Sequence, residues 1–298
     1  MKLTKNELVY LANFYPEASS ISLLSTIKVE KNGKEEETLN KKGILVDGVL
    51  TKEAKEIIDV IAEANNASRL IVRDSLTYLE TYTYRVGETV VVVENEGEEM
   101  EVYIPEDLKT IGFNVSQYIG LSSRKTTGIE MNFLGEEAIA FFAIVDLYRE
   151  YNLKSYFGED VPDDISLKAI KDHMSKAVDS SLVDILKVNF GYQEPESLEK
   201  TLDSLIQKGC VTKDKNYRLA AEYALFAKNF LVPSTMILVE SFSIGADNVL
   251  LIGGGVGLVA GVCDQCFFLA DQKEVEVKAV AGLEMVQTLE GFLLCPEL

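Results

Sequence analysis

The stretch Lys42–Ser75, KGILVDGVLTKEAKEIIDVIAEANNASRLIVRDS, has a counterpart at Lys208–Ser241, KGCVTKDKNYRLAAEYALFAKNFLVPSTMILVES. The offset is 166 positions from Gly43 to Gly209, and it holds without a gap along both stretches. Seven of the 34 positions are identical, among them Lys42/Lys208, Gly43/Gly209, Ser68/Ser234 and Ser75/Ser241. Identity that sparse counts for less than order. In both copies a glycine closes a helix, a short extended piece follows, and a longer helix leads into an apolar strand. A glycine directly after a helix supplies the positive φ that finishes the last turn. The reading is an α+β chain of two related halves, each an antiparallel sheet flanked by helices, in a pseudo-twofold arrangement. The expected domains are a first α+β repeat over 1–121, a connecting helical region over 122–165 and a second α+β repeat over 166–298.

Outward from the first copy, Leu3–Tyr15 has helical spacing, with Thr4 and Glu7 in the relation of a capping box and Leu8, Leu11, Ala12 and Tyr15 on one face. Ile21–Val29 is apolar and fits either element type; the charged KNGKEEE segment after it reads as a surface turn. Asp47-Gly48 is a tight-turn dipeptide between short extended pieces. Thr51 caps a helix whose buried stripe is Ala54, Ile57, Ile58 and Ile61. From Arg69 the period changes to that of strands: RLIVRD, YLETYTYR, ETVVVVEN and EMEVYIP form a meander joined by short turns. Tyr78, Tyr82 and Tyr84 read as packing on a sheet face, and Pro105–Leu121 as a helix.

In the second half, Glu136–Tyr151 is expected as a strongly buried helix and Ser166–Val188 as another, interrupted at Ser180-Ser181. Glu194–Lys208 leads into the second copy, whose helix is expected over Tyr217–Phe230, limited by Pro233. A second sheet follows over Met236–Val280, with NVLLIGGG and VGLVAGV as separate strands, and Leu283–Leu294 closes as a helix.

Charge removes several functions. A formal net charge of −19 repels a phosphate backbone and an anionic membrane surface alike, so neither nucleic acid nor membrane is expected as a partner. The N-terminus has no signal-peptide pattern and no run approaches a membrane span, so a cytoplasmic location is expected. Four cysteines suit a reducing compartment rather than a disulfide scaffold.

The motifs that carry chemistry do not assemble into a site. Gly255-Val-Gly257-Leu-Val-Ala260 after an apolar strand imitates a dinucleotide fingerprint, but too little chain follows for the usual parallel strands. A Gly-rich strand or bulge fits better. Cys263-Asp-Gln-Cys266 has metal-ligand spacing without a second pair, since Cys210 and Cys295 stand alone. His173, the only histidine, lies among Lys and Asp on a helical face and reads as solvated. Helix, glycine, hairpin and helix also outline a winged-helix module, yet its surfaces carry no basic stripe. No catalytic, cofactor-binding or metal residues are assigned, no cofactor is expected, and no partner-binding residue or oligomeric state is specified.

The sequence resembles the EspG family, the cytosolic chaperone-adaptors of type VII (ESX) secretion. The resemblance rests on LTKNELVYLANFY, on the helix ending in KG and an apolar residue, on ASRLIVRD, on TYRVGETVVVV and on IPEDLKTIGF, with a diverged second copy filling the remainder. It departs in being rich in Lys, Glu, Ile and Asn, in having no tryptophan, and in its Gly-rich second sheet. The resemblance implies a non-enzymatic adaptor holding a protein client, a helical secreted substrate pair, and shielding its apolar tip until export. The alternative expectation is a nucleotide- or small-molecule-binding enzyme using the Gly253–Gly257 loop.

Overall fold

In the computed structural model, residues 1–27, 33–107, 109–125, 128–176, 181–245, 249–261, 264–270 and 273–294 are described, with the side chains of 109–111 and 113 left aside. The chain forms two compact units, one from 1–118, 237–253 and 286–298, the other from 119–236 and 254–285.

The first unit opens with strand β1 (Lys2–Thr4) and helix α1 (Lys5–Leu11), continued by a 3-10 turn over Ala12–Phe14. The expected helix from Leu3 is therefore corrected: Leu3 pairs with Met100 in a sheet, and the helix starts after Thr4. The cap is as read, with Thr4 Oγ1 accepting from Glu7 N and the Glu7 carboxylate accepting from Thr4 N. Helices α2 (Leu23–Thr26) and α3 (Glu35–Lys41) follow, then the hairpin of β2 (Leu45–Val46) and β3 (Val49–Leu50). Its turn needs positive φ at both central residues, which Asp47 and Gly48 supply at 52° and 75°. Helix α4 (Lys52–Glu63) begins after Thr51, whose side chain makes no cap hydrogen bond, so position alone marks that end. Strands β4 (Asn66–Asp74), β5 (Tyr78–Val86), β6 (Thr89–Asn95) and β7 (Glu99–Tyr103) form the antiparallel meander. Helix α5 (Lys109–Ile119) follows.

Alternation along these strands separates two faces. Ala67, Tyr84, Val91, Val93 and Val102 join Leu8, Leu11, Leu39, Ile58 and Ile61 of the helices in one core. Leu70, Val72 and Val92 point the other way and are buried, as are Val115 of α5 and Leu289 near the chain's end. Burying both faces is what makes VVVV in β6 apolar throughout rather than alternating.

The second unit contains a strand absent from the sequence reading, β8 (Glu130–Leu134), placed in what was expected as a helical connection. It runs into α6 (Gly135–Tyr156), in which every residue from Ala138 to Val145 is fully buried. Such all-round burial is the property of a central helix. Helices α7 (Leu167–Ser175), α8 (Leu182–Phe190) and α9 (Leu198–Gln207) come next, capped at α7 and α8 by Ser166 and Ser181. The hairpin β9 (Val211–Lys213) and β10 (Tyr217–Leu219) precedes α10 (Ala221–Asn229), so the helix expected from Tyr217 is corrected to a strand and a shorter helix. α7, α8, α9 and α10 all pack on α6. Phe141 stacks on Phe133 at 4.7 Å between ring centroids, and Phe142 meets Phe268 edge-on at 4.8 Å.

Strands β11 (Thr235–Ile244), β12 (Leu250–Val259), β13 (Gln265–Ala270) and β14 (Glu274–Ala279) and helix α11 (Gly282–Leu293) complete the chain. The unit boundaries fall within α5, β11, β12 and α11. In the first unit the sheet order is β1-β7-β6-β5-β4-β11-β12; in the second it is β12-β13-β14-β8. The fold is α+β. The stretches 42–104 and 208–280 share one order of elements: hairpin, helix and four strands.

A buried carboxylate recurs at the same place in each unit. Lys42, which ends α3, puts Nζ 2.9 Å from Glu7 Oε2 and donates to Lys2 O. Lys208, which ends α9, puts Nζ 2.6 Å from Glu137 Oε2 and donates to Asn132 O. Each glutamate is the third residue of its helix and accepts from the backbone amide at the cap, Thr4 or Leu134. Gly43 and Gly209 follow the lysines with φ of 70° and 76°.

Candidate functional site: an exposed hairpin and two grooves of the first unit

The β4–β5 hairpin is built to hold an apolar side chain in water. Its register pairs Arg73 with Tyr78 and Val72 with Leu79, leaving Ser75-Leu76-Thr77 as the connection. Asp74 Oδ1 accepts from Leu76 N at 2.7 Å and from Thr77 N at 2.6 Å, which folds the turn back on itself. These two amides hold the Asp74 carboxyl below the usual carboxylate range. Leu76 is 95% exposed at the apex, with Tyr78 and Leu79 exposed beside it. Together these three side chains make an exposed apolar strip at the hairpin tip.

Below the apex, α5 and the sheet leave a groove of about 270 Å³. Leu70, Val72 and Leu79 line it from the strands, Val115 and Tyr118 from the helix, and Glu80, Glu94 and Glu96 add carboxylates. A second groove of about 570 Å³ lies where Val90, Ile104 and Pro105 approach Leu294. α5 and α11 meet at Gly112, where a Cβ would collide with the carboxylate of Glu290.

The strands beneath are fixed by a charge cluster. Arg69 Nη2 lies 2.6 Å from Glu80 Oε1, and its Nη1 lies 3.3 Å from Glu240 Oε2. Tyr82 Oη and Asn95 Nδ2 also donate to Glu80, at 2.6 and 3.2 Å. Burial pushes the Glu80 carboxyl up, but these donors and the guanidinium outweigh it and hold it low. Burial wins at Glu240, whose carboxyl is raised. The same burial, with the Glu80 hydrogen bond, raises the Tyr82 phenol. The cluster ties β4, β5 and β11 together, so its chemistry is that of a clamp.

The motifs singled out in the sequence lie elsewhere. Gly253–Gly257 is not a loop: it is the interior of strand β12, with Gly254 paired to Ala270 and Gly257 to Phe267. Gly255 is glycine because a Cβ there would lie 2.7 Å from the Phe268 carbonyl oxygen and 2.8 Å from the Phe267 ring. Among the described residues the next element after β12 is strand β13, not a helix whose N-terminus could receive a phosphate. Cys263 and Cys295 lie outside the described residues, while Cys266 is buried in β13 and Cys210 in the core, both thiols pushed up by burial. His173 is corrected from a solvated position. Its side chain is 12% exposed, with Nε2 at 3.5 Å from Asp146 Oδ2. Asp146 also pairs with Arg149 and accepts from Val183 N, so the α6 carboxylate is tied to the start of α8. Among the described residues no group of three or more His, Cys, Asp or Glu is placed to hold a metal ion. No described helix is long and apolar enough to cross a membrane.

Sequence reasoning missed Leu76, since one apolar residue in a turn has no period. The signal was the neighbouring Asp74, two and three residues before amides it can cap.

No family profile and no curated protein matches the chain. Among solved structures it is similar to the Mycobacterium tuberculosis type VII secretion system chaperone EspG5, determined in complex with a PE25–PPE41 dimer. The likeness has a TM-score of 0.56 at 9% identity, over 99% of this chain and 95% of that one. The resemblance to the EspG family read from the sequence therefore holds at the level of the fold.

Proposed function

We propose that this chain is a non-enzymatic, cytoplasmic adaptor that binds a protein client, a helical secreted pair, and keeps it ready for export. The observation that supports this most is the extent of the fold likeness, which spans nearly the whole of both chains, to a chaperone captured with a protein dimer. Fold alone hosts many tasks, so the reading also draws on the site. The Asp74-fixed apex offers Leu76 and Tyr78 to a partner, and the adjoining groove offers apolar floor at its margin. A net charge of −19 keeps such a carrier dispersed while it covers a sticky client.

The same proposal extends to the organisation of the chain. Residues 1–121 and 166–298 are two α+β repeats joined through 122–165, with β8 and α6 of that segment serving the second repeat as β1 and α1 serve the first. The paired lysine–glutamate contacts at Glu7 and Glu137 support it.

The test is affinity capture of the tagged full chain from its own source cells, run in parallel with Leu76→Asp and Tyr78→Asp. The expected result is a helical protein recovered in stoichiometric amount by the parent chain and lost from both variants. Recovery of a nucleotide or small molecule in place of a protein overturns the adaptor reading. A partner retained equally by both variants overturns the hairpin as its contact.

A further inference from the structure

The larger groove of the first unit has a composition unlike that of the hairpin. Its floor is apolar: Val90 is the second residue of β6, Ile104 and Pro105 follow β7, and Leu294 follows α11. Ile104 and Leu294 remain 47% and 45% exposed, so this floor faces solvent with nothing of the described chain laid over it. Its rim is acidic. Glu88, Glu106 and Glu290 stand around it, and the described residues lining it include no lysine or arginine. Arg85, the nearby base, is committed to carbonyls, donating from Nε to Gly87 O and from Nη1 to Leu294 O. Gly112 is what admits the Glu290 carboxylate between α5 and α11, so that charge is placed by packing and not by a free side chain.

An apolar floor with a carboxylate rim selects a partner that is apolar on one side and cationic at its edges. We infer that this groove docks a short amphipathic segment of a partner protein, with one or two apolar side chains on Ile104 and Leu294 and lysine or arginine against Glu88, Glu106 and Glu290. Charge complementarity favours such a segment over an acidic or neutral one, because like charges across an interface repel. Its anchors would be few and central, as in other grooves that receive an amphipathic element. The surface is separate from the hairpin apex, and neither needs the other.

The experiment uses the full chain and two fluorescein-labelled synthetic helical peptides, one of leucine and lysine, the other of leucine and glutamate at the same spacing. Fluorescence anisotropy is expected to show saturable binding of the lysine peptide and none of the glutamate peptide. Glu88→Lys with Glu106→Lys should weaken binding roughly tenfold, since two attractive contacts become repulsive. Ile104→Ser should weaken it by a similar factor through loss of the floor. Glu159→Lys with Asp160→Lys, exposed acids of the second unit, should leave it unchanged. Thermal melts of each variant separate lost binding from lost fold. Equal weakening by the two charge reversals would assign the binding to net charge in general and overturn the groove. An unchanged affinity in Ile104→Ser, or no binding of the lysine peptide, overturns it as well.

Discussion

Replacing Lys208 with methionine tests how much of the second unit depends on one buried charge. Methionine keeps most of the apolar stem but removes the ammonium 2.6 Å from Glu137. Glu137 is only 6% exposed and cannot turn to water, whereas Lys208 is about a third exposed at its side chain. Breaking a fully buried pair costs ~3–5 kcal/mol. The exposure of Lys208 and the two remaining donors to Glu137, Ser204 Oγ and Leu134 N, bring the expected loss to about 2 kcal/mol. The pH dependence follows from the direction of the shift. Burial raises the Glu137 carboxyl, but Lys208, Ser204 and the Leu134 amide outweigh it and hold it below its ordinary value. A carboxyl depressed in the folded state contributes stability above its unfolded pKa, and that stability is lost as pH falls through the folded value. In Lys208→Met burial is left opposed only by the two neutral donors, so the folded pKa rises and the variant's deficit is full near pH ~7 and shrinks toward pH ~4. Urea titrations of parent and variant across that range measure it. Adding Glu137→Gln should restore about 1 kcal/mol, as coupled sites do not add. A deficit that is flat with pH, or a double variant as weak as the sum of the singles, would show that the ion pair is not what Lys208 contributes.

Glycines separate strain from crowding. At Gly43 and Gly209 the φ values are positive and no atom lies near a prospective Cβ, so Gly43→Ala and Gly209→Ala should each cost roughly 1 kcal/mol, and asparagine less, by thermal or urea denaturation. Gly255→Ala meets the Phe268 carbonyl and the Phe267 ring instead, and a cost of about 1–3 kcal/mol is expected, with no melting shift on adding NAD or ATP to parent or variant. Cys266 is buried and its thiol raised, so maleimide labelling of the native chain mapped by mass spectrometry should leave it unmodified until denaturant is added.

The first unit was more legible than the second, for a physical reason. Its strands switch cleanly to a period of two, and the Asp47-Gly48 and Gly87 turns punctuate them at positive φ. In the second unit β12 runs through three consecutive glycines, which suggest a turn in any window of sequence. Only the Phe267 and Phe268 positions across the strand explain why side chains are excluded at Gly255. β8 escaped notice because it is five residues long and exposed along much of its length, so it has neither apolar run nor regular alternation. Tyr217–Leu219 was merged with the helix after it, although Val211 and Leu219 are partners in a short hairpin.

A duplication such as that proposed would show in sequence only where spacing is kept. Lys42 and Lys208 are 166 positions apart, but their partners Glu7 and Glu137 are 130 apart. The difference is the room taken by the greater length of α6, 22 residues against 7 in α1, and by α7 and α8, which stand between α6 and α9. A gap of that size breaks any ungapped comparison, yet the same physics applies on either side of it. In both units a helix-capping glutamate is buried, and a buried carboxylate without a cation is costly. A lysine at the end of a neighbouring helix therefore has to be kept, together with the glycine that lets the chain leave that helix at once. The surfaces proposed for docking answer to no such internal requirement. The side chains of Leu76, Ile104 and Leu294 are largely exposed, so their placement carries no periodic signature and emerges only when exposure is known residue by residue.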